Sequence, residues 1–110
     1  MNIQHKELSQ GRWSEFSFLE QMANIGSEVE RALTWKSKGN ADYSRKAFER
    51  ALELIDLSLN TIKNFARLKE LARLREALVD FFFGNNEFSS TEVIWRKYFS
   101  SFTYAVRKNY

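Results

Sequence analysis

Few side chains in this chain of 110 residues could catalyse a reaction. There is no cysteine and only one histidine, His5, so neither a thiolate nucleophile nor a pair of imidazoles can form. Glu49, Glu53 and Asp56 follow one another at helical spacing and could offer carboxylates to a metal ion. They lie opposite the apolar positions of their helix, so we interpret them as a solvated acidic edge. The sequence therefore predicts no enzyme, no metal site and no cofactor.

An arginine within an apolar pattern is the second chemical feature. Arg75 falls in the apolar arc of its predicted helix, close in angle to Leu71 and Phe82. A guanidinium that is buried without a counter-charge is costly, so a carboxylate should accompany it. Glu28 and Asp56 are the candidates. The arginine is then part of a structural ion pair, or a long side chain that reaches past the apolar positions to solvent, or a ligand-binding group inside the fold.

Positive charge is concentrated in residues 63–75, although the whole chain has a net charge of only +3. Such a segment could contact the phosphates of a nucleic acid. Glu76 and Asp80 follow on the same face, however, and intrahelical salt pairs with them would explain the pattern without a partner. Aromatic residues hardly interleave with the segment, which weakens a stacking platform for bases. The candidate nucleic-acid contacts are Lys63, Arg67, Lys69 and Arg73.

Apolar surface exceeds what one small core can hold. The side chains of Phe81, Phe82 and Phe83 span about 200° around a helix, so all three rings cannot face inward. Phe88 and Trp13 could cover the spare ring within the chain, and otherwise a second chain must cover it. Gly26 invites a close helix approach, within the monomer or across a dimer. The candidate interface residues are Phe81, Phe83, Leu57, Trp13 and Trp35.

Helices must position these residues. The chain has no proline and only four glycines, too few turn residues for a β-sandwich or barrel. Apolar residues recur at the helical period in four segments, which are separated by Gly39, Asn60-Thr61 and 84–86. The first predicted helix covers about 14–38, and Asn40 or Asp42 caps the second. The third covers about 63–83 and the fourth about 90–108, which starts with a capping box of Ser89 and Glu92.

Four amphipathic helices with short connections predict an all-α fold, an antiparallel four-helix bundle with up-down-up-down topology. Residues 14–110 form its single domain, and residues 1–13 form a flexible N-terminal arm. The first residues are polar and carry both signs of charge, which is not typical of a secretory signal. No apolar run approaches the length of a membrane span, so we expect a cytoplasmic protein without a membrane partner.

Three stretches carry a resemblance to a known family. They are residues 24–29 (NIGSEV), 35–40 (WKSKGN) and 47–54 (AFERALEL), together with Tyr43-Ser44. They resemble a family of small, all-helical prokaryotic proteins for which no activity is known, over about residues 13–108. The resemblance implies the helical fold and no site residues.

Two functions follow from the residues. The favoured one is a non-enzymatic helical module that self-associates, as a homodimer, or binds a protein partner through its surplus apolar surface. The alternative is a small nucleic-acid-binding protein that uses residues 63–75.

Overall fold

The computed structural model describes residues 10–108, and all regular secondary structure within them is helical. A single turn, α1 (Gln10–Trp13), precedes four long helices. These are α2 (Phe18–Ser37), α3 (Ala41–Thr61), α4 (Phe65–Phe83) and α5 (Glu92–Lys108). The predicted all-α fold with four long helices is confirmed.

Serine and asparagine side chains set the start of three long helices. Ser17 Oγ accepts the Glu20 amide and the Glu20 carboxylate accepts the Ser17 amide, which makes a capping box. The sequence prediction overlooked this pair, and α2 therefore begins later than predicted, at Phe18. The Asn40 side chain accepts a hydrogen bond from the Tyr43 amide at the start of α3, and the Asn64 side chain accepts one from the Arg67 amide at the start of α4.

The start of α5 differs from the prediction, because Thr91 and not Ser89 caps this helix. Thr91 Oγ1 accepts the Ile94 amide, and the Glu92 carboxylate pairs with Arg96 and does not reach back. Ser89 has a φ of 53°, in the left-handed region, whereas an N-cap residue is typically extended. The predicted capping box at Ser89 is therefore wrong.

The long helices that pack side by side run antiparallel. In each pair of neighbouring helices, residues nearer the start of one helix contact residues nearer the end of the other. These contacts are Ala32–Ser44 and Glu28–Arg50 between α2 and α3, Phe48–Phe82 and Asp56–Arg75 between α3 and α4, Glu30–Arg96 and Phe18–Phe102 between α2 and α5, and Phe81–Trp95 and Glu70–Tyr98 between α4 and α5. The predicted up-down-up-down topology is confirmed.

The four long helices share the core unequally. Seven residues of α2 and eight of α3 are buried, against three of α4 and two of α5. The helix α2 is the centre of the bundle, since it packs against α3 on one side and α5 on the other. The backbones of α4 and α5 make few close approaches, and a groove remains between them.

The turn α1 closes one end of the core. The side chain of Trp13 is fully buried, and its Nε1 donates to Ser58 Oγ at 2.7 Å. Gln21 Nε2 donates to the carbonyl of Trp13 and holds the turn against α2. Of the arm predicted over residues 1–13, residues 1–9 lie outside the described residues, whereas Trp13 belongs to the bundle.

Candidate functional site

The three consecutive phenylalanines at the end of α4 take three different environments. Phe82 stacks on Phe48 of α3 with 4.4 Å between the ring centroids, and so joins the core. Phe81 turns towards α5, where its ring lies 6.4 Å from that of Trp95. Phe83 places only an edge against Phe48, at 5.0 Å, and 51% of it remains exposed. Two rings are thus covered within the chain and one is half open.

Polar and small residues from α2 and α3 frame the open ring. A shallow pocket of about 210 Å³ lies beside Phe82 and Phe83. Its other walls are Lys36, Gly39, Ala41, Ser44 and Arg45. Lys36 Nζ also lies 4.1 Å above the ring of Phe81, within the range of a cation–π contact. We call Phe83 and this pocket the Phe83 surface.

Neither Phe88 nor Trp13 covers the open ring of Phe83, although the sequence allowed either to do so. Phe88 lies in the linker between α4 and α5, held by its amide to Asp80, and is 59% exposed. Trp13 is buried beside Ser58, at the opposite end of α3 from Phe48. The prediction of Trp13 as an interface residue is therefore wrong, because its indole is fully buried in the core.

The other predicted interface residues lie elsewhere. Leu57 is partly buried and packs against the core, so it offers little free surface. Trp35 meets Tyr43 edge to face, with 4.9 Å between centroids, and Lys38 Nζ lies 5.3 Å from its ring. Neither residue lines the Phe83 surface.

Arg75 joins α4 to α3 at the surface. Its Nε donates to Asp56 Oδ1 at 2.9 Å, and both side chains are between a third and a half exposed. The other candidate partner, Glu28, pairs with Arg50 of α3 at 3.1 Å and with Arg31. The pair with Asp56 is one of the two that the sequence predicted, and the long side chain of Arg75 reaches past the apolar positions to the rim of the bundle.

The basic segment is exposed and partly unpaired. Among the described residues, no carboxylate lies within ion-pair distance of Lys69 or Arg73. The intrahelical pairs expected with Glu76 and Asp80 do not form. Asp80 instead accepts the amides of Glu87 and Phe88 and so organises the linker. The remaining members of the predicted set, Lys63 and Arg67, are also exposed, with the Arg67 guanidinium 4.8 Å above the ring of Phe18.

Two of these free cations line the groove between α4 and α5. The groove has a volume of about 450 Å³ and is open to solvent. Its α4 side consists of Ala66, Lys69, Glu70, Arg73 and Leu74, and its α5 side of Trp95 and Tyr98. The Tyr98 phenol lies near the Glu70 carboxylate across it, close enough for the negative charge to act on the hydroxyl. We call this set of residues the α4–α5 groove.

Partial burial, together with the nearby negative charge of Glu70 and the hydrogen bond to it, raises the pKa of Tyr98 to about 12. The phenol is thus neutral at physiological pH and acts as a hydrogen-bond donor.

A second groove runs between α2 and α5, with a volume of about 470 Å³. Gly26 forms part of its floor, because the ring of Phe99 lies directly against the glycine. Arg96 bridges Glu30 of α2, at 2.9 Å, and Glu92 of its own helix. Glu30 and Arg96 are therefore paired to each other, whereas Arg107, which also lines this groove, has no ion-pair partner among the described residues.

The carboxylates of α3 do not form a metal site. Within residues 10–108, no group of three or more acidic, histidine or cysteine side chains could hold a metal ion. Glu49 lies 3.9 Å from Arg45 and Asp56 binds Arg75, while Glu53 is buried and not part of a solvated edge. His5 lies outside the described residues.

No protein-family model, curated protein or solved structure matches this chain. No helix among the described residues is long and apolar enough to cross a membrane.

Proposed function

We propose that the protein is a non-enzymatic helical module that self-associates through the Phe83 surface, most simply as a two-fold dimer. The observation that carries this proposal is the half-exposed ring of Phe83, which is held against Phe48 and therefore presented in a fixed direction. Because a two-fold contact uses the same patch twice, each apolar residue contributes from both copies.

The exposed rings supply part of the binding free energy that a measurable dimer needs. Burying a whole phenylalanine side chain contributes about 1.5–3 kcal/mol, so the open half of Phe83 contributes about 1 kcal/mol per copy. Phe88 is exposed on the linker that follows and adds to the same end of α4. Complexes in the micromolar range need about 8 kcal/mol of net binding free energy, so the surrounding pocket must also be covered.

Sedimentation equilibrium over about 5–200 µM, which brackets micromolar affinity, tests this proposal. We expect the wild type to shift from 13.0 kDa towards twice that mass as its concentration rises. Phe83→Ser should raise the dissociation constant at least about tenfold, since a ring is lost on both sides of the contact. Val93→Ser is the matched control, because Val93 is an apolar residue of α5 that is more exposed than Phe83. A monomer at every concentration would refute self-association, and a dimer that Phe83→Ser leaves unchanged would refute this surface.

Nucleic-acid binding, the alternative function, has weaker support. The unpaired Lys69 and Arg73 favour it, but the aromatic rings beside them are packed and offer no free face for stacking bases. The absence of cysteine and the resemblance to a family of prokaryotic proteins support a further proposal, that the protein works in the reducing cytoplasm of a prokaryote.

A further inference from the structure

We propose that the α4–α5 groove binds an acidic amphipathic helix of another protein. This site is separate from the Phe83 surface, since Phe83 turns towards α3 and the groove faces α5. A helix laid in a groove between two helices is a recurrent mode of recognition, with apolar anchors at three-to-four spacing.

The cations of the groove specify the charge of the occupant. Lys69 and Arg73 are four positions apart on α4, so they form one row on the same face of that helix. Both are exposed, and neither has a carboxylate partner among the described residues. Carboxylates one turn apart on an incoming helix would meet this row, and such complementarity selects the partner and its register.

The floor of the groove specifies apolar anchors. Leu74 and Trp95 are buried beneath it, and Tyr98 is half-buried along its α5 side. Small ligands are usually enclosed over about 70–90% of their surface, whereas this groove is open along its length. An elongated partner with one apolar face suits such a shape better than a small molecule does.

The same geometry disfavours a single-stranded nucleic acid. Bases bind such proteins by stacking on free aromatic faces. Trp95 is only 6% exposed, and the ring of Tyr98 is packed against Phe99 and Phe102 at 5.0 and 5.4 Å. The packing of these rings fits a peptide better than stacked bases.

A phage-displayed library of random peptides, each about four helical turns long, provides the test against the immobilised full chain. We expect the selected peptides to carry acidic and large apolar residues on one helical face. A synthetic copy of a selected peptide should bind Lys69→Glu/Arg73→Glu at least about tenfold more weakly, because two attractions become repulsions. The control Lys38→Glu/Lys97→Glu makes the same charge change outside the groove and should bind like the wild type.

Three results would overturn the proposal. The first is a selection that enriches no peptide, or only peptides without acidic residues. The second is equal binding of the selected peptide to the groove variant and the control, with both folded by circular dichroism. The third is tight binding of single-stranded oligo-dT or oligo-U that Lys69→Glu/Arg73→Glu abolishes, which would make the groove a nucleic-acid site. Sedimentation of Phe83→Ser decides self-association separately, so the two proposals can fail independently.

Discussion

Tyr98 links two helices whose backbones stand apart. Its hydroxyl lies near the Glu70 carboxylate of α4, and its ring packs within α5 against Trp95, Phe99 and Phe102. Partial burial would limit the hydration of a phenolate, which would also be repelled by the Glu70 carboxylate and could donate no hydrogen bond to it. The folded state therefore prefers the neutral phenol, and the pKa of Tyr98 is raised to about 12.

This preference predicts a loss of stability at high pH. An unfolded tyrosine has a pKa of about 10, so the folded state holds the proton more tightly. The stabilisation is fully present below pH 10 and is lost as the pH rises through about 12, the folded pKa. After allowance for solvent screening, the wild type should lose about 1 kcal/mol more than Tyr98→Phe between these two pH values. Urea unfolding of both proteins across this range measures the difference, and parallel curves would contradict it.

At the scale of elements, the contact between α2 and α5 depends on a residue without a side chain. A Cβ atom added to Gly26 would lie 2.9 Å from Phe99 Cβ, closer than such atoms approach. Because Phe99 Cβ is fixed to its backbone, it can yield only if α5 moves. The close helix approach predicted at Gly26 therefore lies within the monomer.

Gly26→Ala should destabilise the protein although alanine is the better helix former. Overpacking costs about 1–3 kcal/mol, which exceeds the gain of up to about 1 kcal/mol in helix propensity. We expect a net loss of about 1 kcal/mol in the free energy of unfolding, measured with urea. Ser27→Ala, at the exposed neighbouring position, should change it by less than about 0.5 kcal/mol. A Gly26→Ala protein as stable as the wild type would mean that α5 shifts freely.

At the scale of the whole molecule, stability is expected to be uneven. The helices α2 and α3 contribute most of the buried residues, and α4 and α5 contribute few and leave a groove between them. Segments with few buried apolar contacts open at a lower free energy than the centre of the core.

Native-state hydrogen exchange checks this expectation. Amides in the middle of α2 and α3 should exchange most slowly, and those of α4 and α5 should exchange faster because these helices can detach without opening the centre. Peptide-resolved mass spectrometry follows all four helices in one experiment. Equal protection of all four would show that the bundle opens as a single unit. Binding of an acidic peptide in the groove should slow exchange in α4 and α5 specifically.

Local patterns of residues were enough to predict the four long helices and most of the faces that they bury. Apolar spacing, the cap at Asn40 and the left-handed Gly39 act over one or two turns. Such interactions can be evaluated from neighbouring residues alone. The capping box predicted at Ser89 failed because the linker conformation there depends on Asp80, which is outside the local motif.

The contacts between side chains of different helices could be read from the three-dimensional structure but not from the sequence. Arg75 forms its ion pair with Asp56 and not with Glu28, Phe82 stacks on Phe48, and Trp13 is a core residue. A helical wheel gives the direction of a side chain around its helix. It does not show which residue of a neighbouring helix lies at the same level along the helix axis. That level depends on the vertical register and separation of packed helices, which arise from the whole core at once. The α4–α5 groove and its unpaired cations also depend on how the two helices pack, so the proposal of a partner required the structure.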